Sequence, residues 1–281
     1  MTEQTAERRM RGRPRSINPA GDSGAVQSLE RAITVLRIVA DADGLSLTEI
    51  ARSADLAPST TYRMLSTLQQ QRLAEFEEAS QLWFVGVETF RIGSAFLRRR
   101  KLAERGRVII QALMMETGET ANIALAEHDG VVFVTQAETH APIRAFFRPG
   151  TRGPYHASGI GKAVLAFMDE PRRAGILARI AFERFTERTI SDCASLRANL
   201  AEARRSGFAL DDEERNLGMR CIAAPVFNEI GEPIGGVSIS GPTVRVDHAL
   251  IKHASGAVIA AAKALTEAIG GTPPADLHHE V

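Results

Sequence analysis

Residues 47–68 read LTEIARSADLAPSTTYRMLSTL, and the spacing within this stretch decides the fold of the N-terminal part. Ser46 stands before it as an N-cap, with Glu49 at the third helical position, where side chain and backbone cap each other reciprocally. A short helix through Leu47, Ile50 and Ala51 follows, then a tight turn at Asp55 to Ala57. Pro58 or Ser59 opens a second helix whose expected apolar stripe is Tyr62, Leu65 and Leu68. Opposite that stripe lie Ser59, Thr60, Thr61, Arg63 and Ser66, with no acidic residue among them. Small hydroxyls let a helix approach closely, and a guanidinium bonds phosphates or base edges. Ser46, Ser59, Thr60, Thr61 and Arg63 are therefore the expected DNA-contacting set on this motif.

Upstream, Val26, Leu29, Ile33, Leu36 and Val39 recur at helical spacing, and Gly44 closes the element. Downstream, LAEFEEASQLWFVG alternates as two short strands around a turn near Ala79. Residues 25–86 thus read as a winged helix-turn-helix. A three-helix bundle that only packs would show the same periodicity. The length of the turn and the absence of acid on the outer face favour DNA.

The whole chain has 281 residues, enough for two domains, and its 44% hydrophobic and 24% charged residues exclude collagen-like and wholly disordered chains. No apolar run approaches the roughly 20 residues of a membrane span, and the polar start lacks the apolar core of a secretory signal, so a cytoplasmic protein without a membrane partner is expected. Cys193 and Cys221 stand in no zinc-binding spacing, and no metal is expected. The net charge of zero conceals an asymmetry: residues 1–101 carry 15 Lys and Arg against 12 Asp and Glu, and the remainder 19 against 22. Arg8, Arg9, Arg11, Arg13 and Arg15 crowd the first residues, so 1–24 reads as a flexible basic arm. Within it, Arg11-Gly12-Arg13-Pro14 matches the RGRP core of minor-groove hooks, with Arg11 and Arg13 entering a narrow A·T-rich groove. Nonspecific attraction to phosphates is the alternative role.

Residues 87–118 read as a linker helix, with a basic run at Arg98 to Lys101. Residues 119–271 then run strands, helices, strands, helix, with a hairpin signal at Asp129-Gly130, and 272–281 form a tail. That order makes an α+β domain with a mainly antiparallel sheet. Catalytic motifs fail: Gly159-Ile160-Gly161-Lys162 has His156 and Ala163 where a phosphate-binding loop needs Gly and Ser or Thr, and no nucleophile elbow or zinc-protease motif exists. The chain is not expected to be an enzyme. Binding remains. Ser158, Gly159, Ile160 and Gly161, ahead of a helix starting near Lys162, would aim free amides at an anion. Ser238 and Ser240 share a strand face that Cys221 could join, which makes a small polar cup. The same glycines could instead serve turns, and the serines and cysteine could merely pack.

The chain resembles the IclR-type bacterial transcriptional regulators from about Val26 to Arg245. The marks are AVQSLERAITVL, the helix-turn-helix quoted above, HASGIGKAVLA and GFALDDEERNLGMRCIAAPVFNEIGEPIGGVSISGP. The resemblance implies a winged helix-turn-helix, a linker helix and a GAF-like effector-binding domain, with operator DNA as partner. It also implies dimers through the N-terminal part, often paired into tetramers. Ala74 departs from it, where glycine is common before the wing, and the wing turn has no Gly. Within the family the chain is most similar to the glyoxylate-sensing branch related to allantoin-utilisation repressors. That branch's effector contacts fall on Gly159, Ile160, Asp211, Cys221, Ser238 and Ser240. Ile160 stands where the branch often has Ala, which narrows the cup to a short acid. No cofactor is implied beyond this effector, with glyoxylate expected first and pyruvate or another short 2-oxo acid next. Two other classes stay open: a metabolite-binding enzyme with a vestigial N-terminal bundle, and a DNA-binding scaffold whose second domain only oligomerises.

Overall fold

The computed structural model describes residues 26–99 and 102–274. The expected arm, with Arg11 and Arg13, lies outside the described residues, as do most of the tail and residues 100 and 101. The chain divides into two compact units between Gly93 and Ser94.

The first unit contains α1 (Gln27–Ala40), α2 (Leu47–Ser53), α3 (Pro58–Gln70), β1 (Ala74–Glu77) and β2 (Leu82–Val85). Its core is Val35, Val39, Ile50, Leu65, Leu68, Ala74 and Trp83. The phase of α1 differs from the expected stripe: Val35 and Val39 are buried, whereas Val26, Leu29 and Ile33 are exposed. β1 and β2 pair antiparallel from Ala74↔Val85 to Glu77↔Leu82, which is the expected wing. Its turn closes without glycine because Gln81 takes the left-handed conformation, at φ 58°. Trp83 carries the wing into the core, its ring 4.9 Å from that of Phe76.

α4 (Val87–Arg99) and α5 (Leu102–Thr117) occupy the segment expected as one linker helix. The start of α4 is tied to the first unit, where Thr89 Oγ1 donates to the Leu73 carbonyl at 2.9 Å. α5 is instead built into the second unit, with Leu102, Ile110 and Leu113 buried in its core.

The second unit continues with β3 (Thr120–Ala126), β4 (Val131–Ala137), β5 (Arg152–Gly153), α6 (Gly159–Phe167), α7 (Glu170–Leu177) and α8 (Cys193–Ser206). It ends with β6 (Ala209–Asp212), β7 (Met219–Phe227), β8 (Pro233–Pro242) and α9 (His248–Ala268). The six strands form one antiparallel sheet in the order β5-β4-β3-β8-β7-β6. Side chains alternate across it. Ile123, Leu125, Ile222, Ala224, Val237 and Ile239 face a layer of α5 and α9. Ala124, Ala209, Ala223 and Phe227 face a layer of α6, α7 and α8. This α+β sandwich buries the sheet on both faces, which is why its strands read as nearly continuous apolar runs. A polar residue inside such a run therefore needs a reason.

Candidate functional site

The helix-turn-helix turn is held by Asp55 in the left-handed region, at φ 51°, and by the Leu56 amide donating to the Ala51 carbonyl at 3.0 Å. α3 then starts with Pro58 as its first residue and carries no acid in its first turn. Ser59 and Arg63 are exposed and Thr60 half-buried, as the expected recognition surface requires. Two residues exchange places relative to expectation. Thr61 is fully buried, its hydroxyl donating to the Ala57 carbonyl at 3.2 Å, so it cannot reach DNA. Tyr62, expected in the core, is 56% exposed beside Arg63. Thr61, Leu65 and Leu68 are the true inner stripe, because a threonine satisfies its own hydroxyl one helical turn back. The Ser46 hydroxyl donates to Glu49 Oε2 at 2.7 Å and accepts the Glu49 amide, so it is committed to capping α2.

The residues expected to hold an effector gather on the sheet face beneath α6. Strand register sets Asp211 against Cys221 and Cys221 against Ser240, one row across three adjacent strands. The next row sets Ala223 against Ser238 and Ser238 against Asn122. Directly opposed residues of antiparallel strands share a face, so both rows point at α6. Gly159 lies close above them, where a Cβ would sit 2.8 Å from Cys221 Sγ and 3.2 Å from Ala223 Cβ.

α6 begins earlier than expected, at Gly159 rather than near Lys162. Ser158 is its N-cap, accepting the Gly161 amide at 3.1 Å and donating to the Pro154 carbonyl at 2.8 Å. Gly161 is packed tightly, since a Cβ there would fall 2.5 Å from Ser158 Oγ. The expected four-residue amide nest therefore reduces to the first-turn amides of Gly159 and Ile160. Helix polarity still makes that end attractive to an anion.

A cavity of about 30 Å³ opens here, lined by Ser158, Gly159, Ile160, Asp211, Cys221 and Ser240 of the expected set. Gly161 and Ser238 do not line it. Phe133 and Phe147 stack at 4.5 Å to form an apolar wall, and Arg215, Arg220 and Met219 complete the rim. Burial pushes the Asp211 carboxyl up, and Lys162 pulls the other way. Burial, then the neighbouring Asp211, pushes the Cys221 thiol up to about 11, so it stays protonated at neutral pH. Behind the rim, Lys162 is wholly buried and donates to Glu214 Oε1 and to the Leu210 carbonyl, each at 2.5 Å.

Beyond the expected set, the lining includes Phe133, Phe147, Arg215, Met219 and Arg220, and Asn122 lies beside it. Asn122 is fully buried on β3, and its Nδ2 donates to Ser240 Oγ at 3.4 Å. The signal for it is a lone amide in the apolar run of β3. The stacked pair of Phe133 and Phe147 had no such signal, because its partners come from a strand and a separate loop.

Residues 94–267 match the family model "Bacterial transcriptional regulator IclR C-terminal", and residues 28–78 match the "IclR helix-turn-helix domain". The chain is 49% identical over 261 residues to the HTH-type transcriptional regulator BhcR of Paracoccus denitrificans, covering 92% of this chain and 94% of that one. It is 34% identical over 271 residues to the HTH-type transcriptional repressor AllR of Klebsiella pneumoniae, covering 96% and 99%. The crystal structure of the Thermotoga maritima IclR shares the fold with a TM-score of 0.72 at 26% identity, covering 87% of this chain and 99% of that one. Among the described residues no helix is long and apolar enough to cross a membrane. With a winged helix-turn-helix ahead of an α+β domain, and both matched in order, the chain belongs to the IclR family of DNA-binding bacterial transcriptional regulators.

Proposed function

We propose that operator binding by this regulator is modulated by a short 2-oxo acid held in the cavity beneath α6, with glyoxylate as the first candidate and pyruvate or another short carboxylic acid next. One observation carries this reading: Asp211, Cys221 and Ser240 form a single cross-strand row under the Gly159 and Ile160 amides, around a cavity of about 30 Å³. Such a space is far below the roughly 300–1,000 Å³ of sites for drug-sized ligands. It favours a short acid over a bulky aromatic one. The carboxylate would accept from the Gly159 and Ile160 amides, and the Ser240 hydroxyl would donate to the carbonyl or hydrate oxygen.

On the DNA side, Ser59, Thr60 and Arg63 would enter the major groove, and Arg11 and Arg13 of the arm the minor groove. The exposed Val26, Leu29, Ile33 and Tyr62 support self-association of the first unit, since monomers rarely leave so many large apolar side chains in water on neighbouring helices. The effector then acts through its unequal affinity for two arrangements of that dimer. Repression is the favoured sense, by analogy with the relative named a repressor.

The test is a fluorescence-anisotropy titration of full-length protein onto an operator selected from random-sequence DNA, with and without millimolar glyoxylate. A shift in operator affinity with glyoxylate but not with benzoate supports the reading. Equal affinity under all conditions favours a scaffold that does not sense, and consumption of the acid favours an enzyme.

A further inference from the structure

The cavity beneath α6 has Asp211, Arg215 and Arg220 on its wall, and among them Arg215 carries a buried N–H with no hydrogen-bond partner among the described residues. Arg220 is engaged on both sides, its Nε donating to Asp212 Oδ1 at 2.5 Å and its Nη1 to the Val246 carbonyl at 3.0 Å. Asp211 Oδ1 accepts the Glu214 amide at 2.9 Å. Lys162, behind the wall, is spent on Glu214 and the Leu210 carbonyl. Arg215 differs. Its guanidinium lies 5.4 Å above the Phe185 ring, and its Nη1 is buried with no hydrogen-bond partner among the described residues. Asp211 and Glu183 are the carboxylates whose charges act on it.

A guanidinium is never deprotonated in proteins, so a buried N–H without an acceptor is a standing cost until an acceptor arrives. The cost is tolerated where a ligand removes it. Carboxylate is the acceptor that a guanidinium's planar fork matches best. Arg215 lines the same cavity of about 30 Å³ as Gly159 and Ile160, whose amides open α6.

We infer that Arg215 is a specificity-determining residue of the effector site: its Nη1 donates to the same carboxylate that the Gly159 and Ile160 amides hold, which makes the site select the anionic acid over its neutral analogues. The inference rests on the 2-oxo acid reading above and adds to it a residue and a charge requirement. The Phe185 ring holds the guanidinium in place, and the fixed positive charge offsets the repulsion that Asp211 and Glu183 would exert on an incoming anion. Lysine would keep the charge there but not the fork.

The experiment is calorimetric titration of the full-length protein with glyoxylate, pyruvate and the neutral pyruvamide, for the parent and for Arg215→Met. The parent should bind the acids in preference to the amide. Arg215→Met should weaken both acids at least about tenfold while leaving pyruvamide nearly unchanged, because charge-assisted bonds are the strong ones. Should Arg215→Met fail to fold, Arg215→Gln, which keeps a polar side chain without the charge, must show the same loss of acid preference. Unchanged acid affinity, or an equal loss for acids and amide, overturns the role of Arg215 alone. A parent that binds none of the three compounds overturns the 2-oxo acid reading, and this inference with it.

Discussion

Lys162 Nζ lies 2.5 Å from Glu214 Oε1, on a lysine with no exposed surface. This pair ties the first turns of α6 to the end of β6 and the loop after it, which carry Asp211 and Arg215, so it fixes two walls of the proposed effector cavity at once. The position of the lysine, one turn into α6, follows from the helix starting at Gly159.

Lys162→Met should therefore be among the most damaging single changes in the chain. It strands a carboxylate inside the second unit, and breaking such a pair costs about 3–5 kcal/mol. Adding Glu214→Gln to Lys162→Met should recover much of the loss, which urea unfolding of the two variants would measure. Equal stability of the single and double variants would mean that Glu214 is not the charge being stranded.

Burial pushes the Glu214 carboxyl up to about 7, with Lys162 opposing. A carboxyl raised in the folded state binds its proton more tightly there than in the unfolded chain. Its contribution is fully present below the ordinary carboxyl value of 4.5 and is lost as pH rises through about 7. The second unit should thus lose stability between those limits, and Glu214→Gln should flatten that part of the profile. Melting temperature followed against pH in both proteins tests this; parallel profiles would remove Glu214 as the cause.

Arg63 and Thr61 are separated by two positions and by the whole thickness of α3. Arg63→Ala should weaken specific operator binding more than nonspecific binding, by about 1–3 kcal/mol if the guanidinium reads a base. Thr61→Ala should leave sequence preference intact and lower the melting temperature. Binding assays on specific and scrambled DNA separate the two effects, and a specificity change in Thr61→Ala would contradict the placement of that hydroxyl.

Ser238→Ala combined with Ser240→Ala should abolish the effector response without weakening ligand-free operator binding. Ser240 lines the cavity, and Ser238 Oγ is buried one row away. Gly159→Ala should act alike by sterics, since its Cβ would meet Cys221 Sγ at 2.8 Å. Loss of DNA binding in these variants would point to a folding defect.

The sequence was most readable where one local rule acts alone. The capping box at Ser46 and Glu49 and the wing strands each depend on residues a few positions apart. Reading failed where polarity was taken as a proxy for exposure. Thr61 buries its hydroxyl by bonding the Ala57 carbonyl, so the phase of α3 is set by Leu65 and Leu68 rather than by Tyr62. Ser158 looked like part of an anion nest and is instead the cap that uses up the Gly161 amide. The cavity itself was half legible: Ser240 and Cys221 follow from strand alternation. Arg215 reaches the cavity from a loop, and Asn122 reaches Ser240 from β3, through a strand order that no spacing along the chain reveals.

Ligand-dependent thermal stabilisation of the full-length protein, across glyoxylate, pyruvate, glycolate, acetate and 4-hydroxybenzoate, tests the central claim most directly. A ligand at about 100 times its Kd adds about 2.7 kcal/mol to the native state, a shift of several degrees in melting temperature. The account predicts such a shift with glyoxylate or another short 2-oxo acid and none with 4-hydroxybenzoate. No shift with any short acid in folded protein, or a shift with the aromatic acid, would contradict it.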